Sequence, residues 1–124
     1  MAAMNREKVV DQLRKEYPEG NIVFNDPDHP TEIIYELKRT SNGSSTAIAV
    51  IESSKPHFHK QTTETYEVIN GELELVVDGK EHLLKEGDNF IIEPNKTHFA
   101  KGKDTWVKVT SNPPWSPEDQ YSLH

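Results

Sequence analysis

An all-β sandwich or barrel, preceded by one short amphipathic helix, is the fold this sequence predicts. Two observations lead to it. From residue 21 onward, short runs with alternating apolar and polar residues are broken at even intervals by Gly, Asn and Asp turns. Before that point the apolar residues instead follow a helical period.

The helix comes first. Asn5 can cap it, and Val9, Val10, Leu13 and Tyr17 then fall on one stripe that ends near Pro18-Glu19-Gly20. Ile22-Val23-Phe24 reads as a short strand, followed by a turn over Asn25 to Pro30. Between Glu32 and Arg39, Ile33, Tyr35 and Leu37 share one face. A turn is expected at Thr40 to Ser44, then a strand from Thr46 to Ile51. Glu64 to Ile69 is a strand; Asn70-Gly71 reads as a hairpin turn, because both residues tolerate positive φ. Leu73, Leu75 and Val77 align on the next strand, Asp78-Gly79 makes a second hairpin, and Lys80 to Leu84 returns. After a turn at Lys85 to Asp88, strands follow at Asn89 to Glu93 and Thr105 to Thr110, separated by a loop at Pro94 to Thr97. The proline-rich tail from Asn112 to Pro117 cannot continue a ladder, so it either wraps the barrel with Trp115 as an anchor or lies loose.

Length and composition bound the rest. A chain of 124 residues is expected to be a single domain over 1–124, with its barrel core at about 32–110, its helix at about 5–17 and its tail at 111–124. The formal charge of −7 argues against a nucleic-acid face and against adhesion to an anionic membrane. The absence of cysteine excludes disulfides, thiolate catalysis and Cys-based zinc sites. The first residues lack the apolar stretch of a signal peptide, and the longest apolar run, Ala47 to Ile51, is far too short to cross a bilayer. Cytoplasmic residence is the expectation.

The chemistry is concentrated in a few residues. His57 and His59 lie one residue apart, so in an extended strand their side chains leave on the same face while Phe58 turns away. Glu64 and His98 complete a set of three imidazoles and one carboxylate, which suits Fe, Mn, Ni, Cu or Zn rather than Ca. If Glu64 points inward, alternation carries Tyr66 and Val68 inward too. Tyr66 is then a candidate donor behind the ligands, or simply a core tyrosine. No other catalytic acid or base is evident. His29, His82 and His124 read as turn, hairpin and terminal residues rather than ligands. Phe58, Phe90, Ile92 and Trp106 read as packing; Glu72, Glu74, Lys80 and Glu81 read as solvated.

Taken together, the middle of the chain is His57-x-His59-x4-Glu64-x6-Gly71, and the second half supplies Gly87-Asp88, Pro94 and His98. This resembles the two signature motifs of the cupin superfamily over roughly residues 45 to 110. The glycine that usually opens the first motif is Ile51 here, and Glu93 and Lys96 stand where members often show Pro and Gly. The resemblance implies a double-stranded β-helical barrel of jelly-roll type. It implies one divalent transition metal held by His57, His59, Glu64 and His98, with the Fe, Mn, Ni or Zn choice open. It also implies a homodimer, for which Ile22-Val23-Phe24 and the tail near Trp115 are candidate contacts. Similar small cupins include dioxygenases, isomerases and decarboxylases, so a metal-dependent enzyme acting on a small oxygenated molecule is the leading expectation. A small-molecule-binding or sensing barrel, with or without metal, is the alternative. A storage role is a third reading, although storage relatives usually carry two barrels.

Overall fold

The computed structural model describes residues 4–39 and 43–123. Residues 40–42 of the expected turn and His124 lie outside them. Helix α1 spans Arg6–Glu16. As expected, Asn5 caps it: its side-chain oxygen accepts the Lys8 N–H at 3.1 Å. Glu7 in the first turn and Arg14 and Lys15 in the last match the helix dipole. Asn5→Ala should therefore cost about 1 kcal/mol, read as a lowered thermal midpoint, with no change at the site described below.

The helix stripe is buried against the outer face of two strands, β2 (Glu32–Arg39) and β3 (Ser45–Ser53). Val9 and Leu13 pack on Ile33, Tyr35, Ile48 and Val50, and the Tyr35 hydroxyl donates to the Tyr17 carbonyl at 2.5 Å. The opposite face of the same two strands looks inward. There β2 presents Glu32, Ile34 and Glu36, and β3 presents Ser45, Ala47 and Ala49. Small side chains on β3 leave space that larger ones would fill, and this space is the wall of an internal cavity.

The remaining strands are β1 (Asn21–Phe24), β4 (His57–Phe58), β5 (Thr63–Asn70), β6 (Leu73–Val77), β7 (Lys80–Leu84), β8 (Asn89–Ile92), β9 (His98–Asn112) and β10 (Tyr121–Ser122). Strand β9 is the spine. Its second half pairs with β3 on one side and β5 on the other; its first half pairs with β6 and β4. β1 joins the edge of β2, β8 pairs with β5, and β7 with β6. The sheet curls around a second apolar core built from Ile51, Tyr66, Val68, Leu73, Leu75 and Val107. The all-β jelly roll with a short N-terminal helix is thus the architecture observed. Among the described residues, no helix is long and apolar enough to cross a membrane.

Two expectations are corrected. Asn70-Gly71 does not close a hairpin, because β5 does not pair with β6. Both lie antiparallel to β9 and run in the same direction, so the turn is an offset between two stretches of one path. Gly71, at φ +94°, makes the offset, and Thr105 across it donates to the Glu72 carbonyl at 2.5 Å. Asp78-Gly79 is a true two-residue hairpin: both residues have positive φ, and Val77 faces Lys80. The second correction concerns the strand expected at Thr105 to Thr110: it already begins at His98, which pairs with His57 and Val77.

Candidate metal centre

Four side chains, three from residues 57–64 and the fourth from His98, converge at one end of the barrel. His57 sits on β4, in register with His98 at the start of β9. His59 lies just past β4. Glu64 comes from β5, whose alternation turns Glu64, Tyr66 and Val68 inward, as expected. One ligand-type atom from each of His57, His59, Glu64 and His98 lies within 4.8 Å of all the others. Ligands on opposite sides of a metal, each at ~2.1 Å, are ~4.2 Å apart, so inward movements of a few tenths of an ångström close the set.

The aim of each imidazole is fixed from behind. His57 Nδ1 donates to the Lys55 carbonyl at 2.7 Å, His59 Nδ1 to the Asp119 carbonyl at 3.0 Å, and His98 Nδ1 to the Lys96 carbonyl at 3.0 Å. A carbonyl only accepts, so each Nδ1 carries the proton, and in the neutral ring Nε2 keeps its lone pair. His59 Nε2 and His98 Nε2 stand 3.2 and 3.1 Å from Glu64 Oε1. None of these three buried atoms makes a hydrogen bond among the described residues. Lone pairs that face one another at such distances need a positive charge among them. Protons are one choice. Burial would raise the Glu64 carboxyl, but His59 and His98 outweigh it and hold it at about 2. The same carboxylate raises His59 against its own burial. His57 moves the other way: burial, then the neighbouring His98, lowers it to about 4, so it is neutral at physiological pH. A divalent cation is the other choice, and it uses all four groups at once. The donor set therefore fits a transition metal.

The loop that delivers His98 is tied down at both ends. Asn95, at φ +68°, donates its N–H to the His59 carbonyl at 2.6 Å, and the Asp78 side chain accepts the Thr97 N–H at 2.9 Å. Lys96 points outward to Asp78 at 3.4 Å.

His57 and Glu64 border a cavity of about 340 Å³, within the range of small-molecule sites. Tyr66 lines it as well. Tyr66 meets His98 edge to face, with ring centroids 6.2 Å apart, and not through a hydrogen bond, so it packs against that imidazole. Sequence reasoning missed Glu32. Its side chain faces the cavity and has no hydrogen-bond or ion-pair partner among the described residues. Burial, reinforced by the charge of Glu64, raises its carboxyl to about 7. The signal for it was the inward face of β2: Glu32 and Glu36 flank Ile34 opposite the alanines of β3.

The C-terminal tail wraps, and it ends in a strand that was not expected. β10 pairs with β4, and Tyr121 stacks on Phe58 with centroids 5.2 Å apart. Phe58 therefore holds the tail and is not barrel packing. Trp115 lines the cavity, its ring N–H donating to Gln120 at 3.0 Å; Val23 and Phe24 line it too. Of the other histidines, His29 lies in its turn and His82 packs against Phe90.

Comparison with known proteins follows the same lines. The family model for the cupin domain matches residues 46–105. An uncharacterized protein of Aquifex aeolicus (strain VF5) is 33% identical over 68 residues, which is 55% of this chain; the chain spans 56% of the length of that curated relative. Among solved structures, Pac13 of Streptomyces, a nucleoside dehydratase also seen with uridine, has a TM-score of 0.75 at 14% identity, covering 87% of this chain and 88% of its own. KdgF from Halomonas sp. has a TM-score of 0.65 at 18% identity, covering 75% of this chain and 87% of its own. HppE in its Fe(II) form has a TM-score of 0.64 at 16% identity, covering 77% and 57%. At these identities the likeness to the solved structures is one of fold.

Proposed function

Because the chain is a small protein of the cupin type, we propose that it is a metal-dependent enzyme acting on a small oxygenated molecule, with His57, His59, Glu64 and His98 as the ligands of one divalent transition metal. Four protein ligands would leave open positions for a substrate on a metal that takes six ligands. When bound, the metal would supply Lewis-acid polarisation of a substrate oxygen, or a redox centre if it is iron or manganese.

The observation that carries the catalytic reading is the Glu32 carboxyl. The carboxyl is unpaired, faces the cavity beside the ligand set and, in the metal-free protein, is held up to about 7, so it is placed to exchange a proton with a substrate. It favours reactions that move a proton, of isomerase or decarboxylase type, over oxygenation. Glu32 acts on the substrate, Tyr66 packs against His98, and the tail around Trp115 closes the cavity wall.

The test is a panel of small sugars, hydroxy acids and keto acids, incubated in D2O with protein loaded in turn with Fe, Mn, Ni or Zn. Deuterium entering carbon next to a carbonyl, or a decarboxylated product, with no oxygen consumed, is the expected result. Saturable binding of a panel member with no deuterium uptake and no product would mark a binding protein. Oxygen consumption would mark an oxygenase.

A further inference from the structure

The three imidazoles of the centre are not held alike. The carbonyls that orient His57 and His98 belong to residues two positions earlier on the same stretch of chain. The carbonyl that orients His59 comes from Asp119, sixty positions downstream.

His59 needs this outside support. Strand β4 is only two residues long and ends at Phe58. Past it, the backbone N–H groups of Lys60, Gln61 and Thr62 have no ladder to join. The Asp119 carboxylate takes all three: Lys60 N–H at 3.0 Å, Gln61 N–H at 3.2 Å to each oxygen, and Thr62 N–H at 3.1 Å. Successive N–H groups around one anion form a compact, charge-assisted grip. The same residue thus clamps the chain after His59 with its side chain and points the ring with its backbone carbonyl.

Building on the metal reading above, we propose that Asp119 is a positioning residue of the centre, and that the C-terminal segment 113–123 is a working part of the metal site. The segment is anchored independently on both sides of Asp119. Before it, the Trp115 N–H donates to Ser45 at 3.0 Å and the Thr62 hydroxyl to the Pro113 carbonyl at 3.2 Å. After it, Tyr121 stacks on Phe58, the Lys60 ammonium lies 4.5 Å from the Tyr121 ring, and the Leu123 N–H donates to the Pro56 carbonyl at 3.1 Å. Trp115, Gln120 and Ser122 of this segment also line the cavity. One segment therefore sets the aim of a ligand and shapes the space a substrate enters. Without the Asp119 clamp, the His59 ring is free to turn or to move its proton to Nε2, and in that tautomer Nε2 cannot ligate.

The experiment titrates Co(II) into metal-free full-length protein against a competing chelator, recording affinity and the visible spectrum of the bound ion. Asp119→Ala should weaken Co(II) binding about 10–100-fold and alter the spectrum. Asp119→Asn, which keeps one side-chain acceptor oxygen for the 60–62 N–H groups, should fall between Asp119→Ala and the wild type; the backbone carbonyl at 119 is present in every variant. Glu118→Gln is the charge control: Glu118 is exposed and bonds Ser116 rather than the 60–62 stretch. It should bind Co(II) as the wild type does. Thermal midpoints of the metal-free variants are measured alongside, because a merely structural role would lower the midpoint and leave the Co(II) spectrum unchanged. If Asp119→Ala does not fold, Asp119→Asn is judged against Glu118→Gln in the same way. Co(II) affinity and spectrum matching those of Glu118→Gln would overturn the proposal. A wild-type protein that takes up no Co(II) would instead overturn the metal reading on which it rests.

Discussion

Replacing His59 by alanine should strip most of the metal from the protein and leave the barrel folded. His59 is buried, and its Nε2 has no other partner among the described residues. Its loss takes one of four donors and leaves a gap that alanine cannot fill chemically. Affinity should fall by at least the ~10–100-fold expected when a supporting residue is lost, because here a donor itself is gone. The fold should survive for a local reason: His59 lies beyond the end of β4, and no ladder pair depends on its side chain. Elemental analysis of wild-type and variant protein, each purified without chelator and with circular dichroism as the fold control, gives the answer. Equal metal content in the two would remove His59 from the ligand set.

The second large effect belongs to Glu32. Glu32→Gln keeps the size and polarity of the side chain but cannot exchange a proton. Turnover of whichever panel substrate reacts should drop about 10²–10⁴-fold while metal content stays at the wild-type level. The same variant has an opposite effect on the metal-free protein. The Glu32 carboxyl titrates near 7 in the folded protein and at 4.5 in its reference state, so the folded state holds that proton more tightly. The stability this gives is fully present below pH 4.5 and is lost as the pH rises through 7. Glutamine carries no such loss. At pH 8, metal-free Glu32→Gln should therefore be more stable than wild type by about 1–3 kcal/mol, and near pH 4 the two should agree. Denaturant titrations at the two pH values measure this. A variant less stable at both would show that the carboxylate is satisfied in a way the cavity geometry does not indicate.

What the sequence made legible was local. Asn5 and the Val9–Leu13 stripe announced the helix, because capping and a 3.6-residue period both act within one element. Alternation announced the inward side of β5, and with it Glu64 and Tyr66. The spacing of His57 and His59 announced a shared face. What stayed hidden depends on which strands meet. Asn70-Gly71 signals that the chain bends there, and nothing in the two residues says that the partner of both flanking strands is the distant β9. Glu32 looks like an ordinary polar position on a half-buried strand until the small residues of β3 and the curl of the sheet turn that face into a cavity wall. Asp119 is farther out of reach still. It lies in a proline-rich tail, and its partners are three backbone N–H groups, which carry no side-chain identity for a pattern to catch.

The most direct test is anomalous diffraction from crystals of protein loaded with Zn or Co, recorded on both sides of the metal's absorption edge. A single strong peak per chain, within bonding distance of His57 Nε2, His59 Nε2, His98 Nε2 and a Glu64 oxygen, is the predicted result. Density at the barrel end with no anomalous signal, or a metal held elsewhere on the surface while these four side chains bond only to one another or to water, would contradict it.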